Sequence, residues 1–377
     1  MEQNFYLGKL LELKNNFSVK IISGLNGVGK TTLLNAFAEN LRSEGVATEE
    51  IIFLNCAADE RLRNFQTLYD FVETRTLELE KFFLLIDEID CVVEGEKAIN
   101  ALFAGLPAEI YVTCSTEAFA EKICVLLPDN CDVLKLYPLP FSEYVKNVPE
   151  DNALQNYLHF GGLPATADAN EKILPTVLRG AAYEIMFDLV VKNSLQRAEY
   201  FQLLMKIIAQ NVGKPISLNQ LFDRLKGVSA SINTFRNYFS CGLGLFKRVP
   251  RFDIKNENYL TGGEKFYCVD NGILRALAPE IDENILMENA VYAELLRRGY
   301  SISIGKFGTM NITFVAERAD KKIFIQVLPT SGISVRRITR PLRALPADVE
   351  KILITSKREK TFGDVKNITL RDFLLGG

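Results

Sequence analysis

The chain has 377 residues with one His and no Trp, and 48% of its residues are hydrophobic and 24% charged. At about 100–200 residues per domain, this length predicts two or three domains with cores of their own, and a single His excludes a zinc site built on paired imidazoles. The sequence has no long apolar run, no signal-like N-terminus and no CxxC pair among its seven Cys, so we expect a cytoplasmic protein without a membrane span and with reduced thiols. The net charge of −3 is uneven, because residues 1–150 are acidic and the remainder is basic.

Short apolar runs alternate with helix-like stretches over residues 1–145. The predicted strands are Val19–Ser23, Ile51–Asn55, Phe82–Asp87, Ile110–Ser115 and Val133–Tyr137, and the predicted helices are 31–43, 62–79, 96–106 and 117–127. Apolar residues on both faces of each strand are typical of a parallel sheet that helices cover on both sides. The alternation therefore predicts an α/β fold with right-handed crossovers.

The segment that follows the first strand fits the pattern G-x-x-x-x-G-K-[ST] of phosphate-binding loops. Its glycines let backbone N–H groups turn inward, and the helix that follows adds the positive end of its dipole. We assign ATP contacts to Gly24, Leu25, Asn26, Gly27, Val28, Gly29, Lys30, Thr31 and Thr32. Lys30 is expected to reach the β- and γ-phosphates, and the Thr31 hydroxyl is expected to bind Mg²⁺.

The third predicted strand ends in two carboxylates, Asp87 and Glu88. We expect Asp87 to hold Mg²⁺, directly or through water, and Glu88 to activate the attacking water as a general base. A solvated acidic turn is the alternative, because Asp90 lies nearby. One extra strand and helix separate the loop from Asp87, and this resembles the additional-strand P-loop ATPases.

The fourth predicted strand ends in hydroxyl groups. In the additional-strand class, a polar residue at this point lies between the Asp strand and the phosphate loop and senses the γ-phosphate. Thr113 and Ser115 are the candidates for this catalytic role. Ordinary polar residues at a strand end are the alternative.

The rest of the chain predicts three further parts. Residues 146–195 are predicted to form a helical lid, residues 196–270 a winged helix, and residues 271–377 a small α/β domain. In the winged helix, Arg236 lies on the third helix, which would enter a major groove. Lys247, Arg248 and Arg251 lie near the wing and could contact phosphates. A solvated or protein-facing winged helix is the alternative.

Several segments together resemble the AAA+ ATP-binding proteins common in bacteria and archaea, a group close to the STAND-type ATPases, many of which carry a C-terminal domain of unknown function. The segments are GLNGVGKTTLL, LLIDEID, YVTCST, LYPLPFSEY, YLHFGGLP, KFYCVDNGILRAL and ENAVYAELLRRGY. They extend over nearly the whole chain. The resemblance implies that Pro164 touches the adenine of ATP.

Two arginines that this family often carries, one inside the phosphate loop and one before the LYPL segment, are missing here. Such an arginine contributes about 10³–10⁵ in rate, so the resemblance implies slow hydrolysis. It also implies a restriction-endonuclease-like last domain with Glu288 on a helix. Asn311, Thr313 and Gln326 stand where carboxylates bind metal in that fold, so we expect no nuclease activity.

These observations favour a slow magnesium-dependent ATPase that works as a nucleotide-driven conformational switch. A nucleic-acid-binding regulator that ATP tunes through residues 196–270 is the alternative. A third hypothesis is a protein-interaction scaffold with a nearly inactive ATPase. The sequence leaves the partner open between nucleic acid, another protein and a second copy of the chain.

Overall fold

The computed structural model describes residues 4–146, 148, 152–167, 172–225, 231–319, 321–328, 334–360 and 363–376. They belong to two compact units. The first unit comprises Met1–Tyr137 and Asp188–Ser194, and the second comprises Pro138–Phe187 and Leu195–Gly377. No helix in the described part of the chain combines the length and the apolarity that crossing a membrane requires.

The first unit alternates strands with helices. Its strands are β1 (Val19–Ser23), β2 (Ile51–Asn55), β3 (Phe82–Asp87), β4 (Ala108–Cys114) and β5 (Cys131–Lys135). Its helices are α1 (Asn4–Glu12), α2 (Lys30–Ser43), α3 (Phe65–Thr76), α4 (Gly95–Gly105) and α5 (Glu117–Leu126), with 3₁₀ turns at Thr48–Glu50, Glu60–Arg63 and Ile89–Cys91. Each of the five strands begins within two residues of its predicted start.

The five strands form one parallel sheet in the order β2-β3-β4-β1-β5. The strands β1 and β3, on either side of the central β4, are buried along their whole length, which explains why they are apolar on both faces. The prediction of a P-loop α/β fold is confirmed. Because β4 lies between β3 and β1, the ends of the Asp87 strand, the Thr113 strand and the phosphate loop meet at one edge.

The expectation of reduced thiols is wrong for one pair of cysteines. Cys124 near the end of α5 and Cys131 at the start of β5 form a disulfide, with their Cα atoms 5.3 Å apart. The connection between α5 and β5 reverses the chain and brings the two residues together, which their spacing in sequence did not reveal. The other cysteines are free thiols.

The second unit begins with helices. They are α6 (Phe141–Tyr144), α7 (Ala153–Phe160), α8 (Pro164–Ala167), α9 (Leu174–Lys192), α10 (Ala198–Gln210), α11 (Leu218–Arg224) and α12 (Ile232–Gly242). The end of α9, from Asp188, belongs to the first unit. The remaining elements are β6 (Phe246–Asp253), β7 (Asn258–Cys268), α13 (Asn271–Leu277), α14 (Glu283–Arg297), β8 (Ser301–Phe307), β9 (Met310–Arg318), β10 (Lys321–Val327), α15 (Val335–Ile338), α16 (Arg340–Arg343), β11 (Glu350–Thr355), β12 (Lys366–Thr369) and α17 (Leu370–Leu374).

A strand pair near residues 245–269 is the predicted wing of the winged helix, and these residues form a hairpin that is part of a larger mixed sheet. The described strands of this sheet follow the order β12-β11-β10-β9-β8-β6-β7. Strand β6 pairs antiparallel with β7 and parallel with β8, with Arg251 opposite Ile304. Backbone hydrogen bonds thus cross the boundary that the sequence suggests after residue 270. The division into four domains stays a prediction.

A buried polar network in the second unit accounts for three of the family-like segments. Asp270 caps α13 by accepting from the Ile273 N–H (3.0 Å), and its other oxygen accepts from the Gly162 N–H (2.7 Å). Gly161 has φ +71°, and a Cβ there would lie 2.1 Å from the Asp270 carboxylate. Asn289 on α14 bonds to both the N–H and the carbonyl of Cys268. These residues therefore have structural roles.

Candidate active site

The phosphate loop joins β1 to α2 in the first unit. Two of its glycines have positive φ, +77° at Gly27 and +99° at Gly29, and Gly29 caps the start of α2. A Cβ on Gly24 would lie 2.4 Å from the Leu136 carbonyl oxygen. Glycine is therefore required both for the turn of the backbone and for the close approach of Leu136. The loop leads directly into a helix N-terminus, which is a favourable place for an anion.

Lys30, the first residue of α2, is buried. Its ammonium group donates to the Leu25 carbonyl (3.1 Å) and lies 3.7 Å from Glu88 Oε1. Only 3% of the residue is exposed, so its charge is held inside the loop. This places the lysine where it can meet a phosphate group.

Asp87, at the end of β3, is fully buried and brings several predicted residues together. Its Oδ2 accepts from the Thr31 hydroxyl (2.8 Å) and from the Asn55 amide (3.0 Å), and its Oδ1 accepts from the Thr113 hydroxyl (2.6 Å). Thr113 also accepts from the Glu88 N–H (2.8 Å). Asn55 was missed, although it ends β2 beside Asp87 in the sheet.

The oxygens around Asp87 fit a magnesium ion. Thr31, Asn55 and Thr113, which donate to this carboxylate, are neutral, and a buried carboxylate with neutral partners favours a nearby cation. Carboxylate and hydroxyl oxygens are the protein ligands that Mg²⁺ prefers, usually together with waters and phosphates. Thr31 and Asp87, side by side at the loop, are the residues that would hold the ion.

Glu88 lies between two lysines. Besides Lys30 near Oε1, the ammonium group of Lys192 lies 2.5 Å from its Oε2. Burial alone would raise the pKa of Glu88, but the attraction of the two ammonium groups outweighs burial and lowers it. Glu88 is therefore held as a carboxylate with both oxygens facing cations.

Lys192, at the end of α9, is a second candidate site residue that the sequence did not reveal. Its ammonium group also donates to the Ser115 hydroxyl (2.6 Å) and lies 3.2 Å from Asp90 and 3.3 Å from Asp188. Burial would lower its pKa, but the carboxylates around it raise it. Lys192 is thus charged, and no local motif marks it.

Ser115 lies with Lys192 rather than with Asp87. Its N–H donates to Asp90 (2.8 Å). Burial raises the pKa of Asp90, against the attraction of Lys192. Of the two candidate sensors, Thr113 contacts the proposed magnesium ligand and Ser115 contacts the lysine.

Glu88, Asp90 and Cys91 offer three ligand atoms within 4.8 Å of one another. Lys192 already balances the two carboxylates, and burial raises the pKa of the Cys91 thiol, which disfavours the thiolate that binds metals. We therefore assign no metal to this cluster.

Pro164 begins α8 in the second unit, and its contact with adenine stays a prediction.

The nuclease-like positions of the second unit surround one cavity. Glu288, Asn311, Thr313 and Gln326 line it. Glu288 Oε1 accepts from Lys265 (3.0 Å) and from the Tyr267 hydroxyl. Among the residues that the structure describes, Glu288 contributes the one carboxylate that lines this cavity. The arrangement agrees with the expectation of no nuclease activity, which stays a prediction.

Residues 16–145 match the family model of an AAA domain, and residues 151–284 match a domain of unknown function. An uncharacterised protein of Haemophilus influenzae is 30% identical over an alignment 392 residues long, gaps included, that spans 98% of this chain and 97% of that protein. Among solved structures, a Walker-type ATPase of Pyrococcus abyssi is similar in fold, with a TM-score of 0.50 and 14% identity over 73% of this chain and 95% of that chain.

Proposed function

This chain belongs to the family of the Haemophilus influenzae relative and carries an AAA domain of the P-loop ATPase fold, and we propose that it is a slow magnesium-dependent ATPase that works as a nucleotide-driven conformational switch. The observation that carries this proposal is the position of Glu88 between Lys30 and Lys192. It joins the residues that would hydrolyse ATP to the end of α9.

Each residue of the site has a distinct part in the proposed reaction. The N–H groups of residues 27–29 and the ammonium group of Lys30 bind the phosphates, and Thr31 and Asp87 hold Mg²⁺, which when bound neutralises charge on the phosphate oxygens. The Thr113 hydroxyl fixes the positions of the Asp87 carboxylate and the Glu88 backbone by a hydrogen bond to each. Glu88 accepts a proton from the attacking water.

Glu88 is poorly placed to accept that proton while Lys192 donates to Oε2 and Lys30 lies beside Oε1. ATP would draw Lys30 towards the phosphates, which frees Oε1, but Lys192 would remain on Oε2. We therefore propose that the end of α9 must withdraw before hydrolysis is efficient. Lys192 then acts as a brake that ties turnover to the position of α9.

Slow turnover has a second cause in this proposal. Within the described residues, the cations within 4 Å of the Glu88 carboxylate are both lysines. A lysine presents a single point charge, whereas an arginine offers a planar fork that spans two phosphate oxygens. We therefore expect weak stabilisation of the negative charge in the transition state unless a partner protein or a second copy of the chain supplies an arginine.

Replacing Lys192 with Met tests the brake. We expect kcat for ATP hydrolysis to rise about tenfold, which corresponds to a coupling of about 1.4 kcal/mol, because Glu88 Oε2 becomes free. Lys192→Arg should stay slow. The matched control is Lys97→Met on α4, which removes an exposed ion pair between Lys97 and Glu94 and should leave kcat unchanged. A lower kcat in Lys192→Met would contradict the brake and assign Lys192 to charge stabilisation instead.

The alternative, a nucleic-acid-binding regulator, draws support from α12. Arg236 is exposed on this helix beside Asn237. The wing supports it less, because Arg248 pairs with Glu264 and Arg251 lines the cavity of the second unit. In a salt titration with duplex DNA, this alternative requires affinity that falls steeply with salt and weakens in Arg236→Ala. Lack of binding at low salt, with and without ATP, would remove it.

A further inference from the structure

The cavity in the second unit has the size of a small-molecule site. Its volume is about 370 Å³, and pockets for small organic ligands begin at roughly 300 Å³. Apolar side chains form part of its wall, namely Ile304, Ile312, Val327 and Ile338. The polar side chains of the wall are Arg251, Lys265, Glu288, Asn311, Thr313 and Gln326.

Gln326 on β10 is the buried donor. Only 9% of it is exposed, and its Oε1 accepts from the Thr313 N–H (3.2 Å). That bond decides which end of the amide is oxygen. The amide nitrogen, with two N–H donors, has no hydrogen-bond partner among the described residues, and Gln326 is one of the residues that line the cavity.

Thr313 on β9 adds a second donor. Its hydroxyl oxygen accepts from the Val327 N–H (3.2 Å), so the hydroxyl hydrogen stays available for donation. The residue is 8% exposed and lines the same cavity. Thr313 and Gln326 thus offer neutral donors at positions where carboxylates would suit a metal ion.

Arg251 on β6 brings an uncompensated positive charge. Its side chain lies against Gly263, where φ is +70° and a Cβ would lie 2.9 Å from Nη1. Within the described residues, no hydrogen bond or ion pair engages its guanidinium group. The carboxylate of the cavity, Glu288, is already balanced by Lys265.

We propose that this cavity binds a small organic phosphate, with the phosphoryl oxygens on Arg251, Gln326 and Thr313 and the organic part against the apolar wall. A guanidinium fork binds two phosphate oxygens at once. A phosphoryl group has a further oxygen for the amide and the hydroxyl, which a carboxylate lacks. The site is independent of the ATPase proposal, because every residue in it belongs to the second unit.

The test measures binding by calorimetry to the full chain that carries Lys30→Ala, so that the phosphate loop does not compete. The probes are AMP, glucose 6-phosphate, inorganic phosphate and adenosine. We expect one or both organic phosphates to bind at least tenfold more tightly than inorganic phosphate, and adenosine not to bind. A preference for AMP or for the sugar phosphate identifies the source of the phosphoryl group.

Two substitutions locate the bound molecule. Arg251→Gln should weaken binding at least tenfold, and Gln326→Glu should weaken it about 100-fold, because a carboxylate would face the phosphate while still accepting from the Thr313 N–H. The matched control is Arg358→Gln, which is exposed and should bind normally. Thermal unfolding checks that each variant is folded.

Three outcomes would overturn the site. The first is that no phosphate binds at 10 mM, which as a Kd corresponds to a binding free energy of roughly −2.7 kcal/mol. The second is unchanged binding in a folded Gln326→Glu protein, and the third is equal affinity for inorganic phosphate and both organic phosphates.

Discussion

Replacing Glu88 with Gln is expected to lower ATP turnover by about 10²–10⁴-fold while ATP affinity stays within about twofold. The amide keeps the shape of the side chain and its place after β3, but it cannot accept a proton from water. Lys30, the loop N–H groups, Thr31 and Asp87 remain to hold the nucleotide. Single-turnover hydrolysis and equilibrium binding of ATP measure the two effects separately.

The control for this substitution is Glu121→Gln, which removes an exposed carboxylate on α5 of the same unit and should hydrolyse ATP normally. Glu88→Gln also removes a negative charge from between two ammonium groups, so thermal unfolding must accompany the assay. Unchanged turnover in a folded Glu88→Gln protein would exclude Glu88 as the general base. It would also contradict the proposed inhibition by Lys192, which acts through Glu88.

Replacing Lys30 with Ala is expected to weaken ATP binding by about 30-fold or more, since removal of one partner from a buried charged contact costs about 2–5 kcal/mol. Lys30 is almost completely buried at the start of α2, and its replacement would remove the ammonium group that lies at the phosphate loop beside Glu88. Binding of a fluorescent ATP analogue in the presence of magnesium measures the loss.

Lys122→Ala is the matched control, because this lysine is exposed on α5 and its loss should not change ATP affinity. Undiminished affinity in Lys30→Ala would contradict the assignment of the phosphate loop. The Glu88→Gln and Lys30→Ala variants should fail at different steps: Glu88→Gln should bind ATP without hydrolysing it, whereas Lys30→Ala should bind ATP weakly. A protein that only uses ATP as a structural ligand would be unaffected by Glu88→Gln.

The proposed brake by Lys192 would place regulation in the chain itself. Three carboxylates and a hydroxyl hold the ammonium group of Lys192, and moving a charge with this many partners requires a compensating gain elsewhere. ATP phosphates near Lys30, or a partner that binds α9, could supply it. Turnover would then report the state of α9 rather than the concentration of ATP alone.

The strands of the first unit could be predicted because each of them is a short run of neighbouring residues. Phe82–Asp87 is apolar on both faces since helices cover both sides of the sheet, and the pattern is visible without any knowledge of contacts. The loop at Gly24–Thr31 was visible for the same reason. Its glycines and Lys30 are consecutive, and their spacing reflects the local turn that they form.

Other features depend on residues that are distant in sequence. Lys192 lies 104 positions from Glu88 and has no motif around it. Asn55 meets Asp87 only because β2 pairs with β3. The predicted wing hairpin formed, but its further pairing with β8 could not be read from its own residues, since the outer edge of a hairpin can stay free or accept another strand.

The sequence by itself determined the P-loop sheet, the phosphate loop and the carboxylates that follow β3, because backbone turns and apolar periodicity are local properties. Only the tertiary structure decided what surrounds those groups. It paired Cys124 with Cys131, set Lys192 on Glu88, and gathered Arg251, Thr313 and Gln326 around one cavity. Such contacts arise when separate elements pack, and the charge and hydrogen-bonding state of each side chain then depends on neighbours that its own segment does not encode.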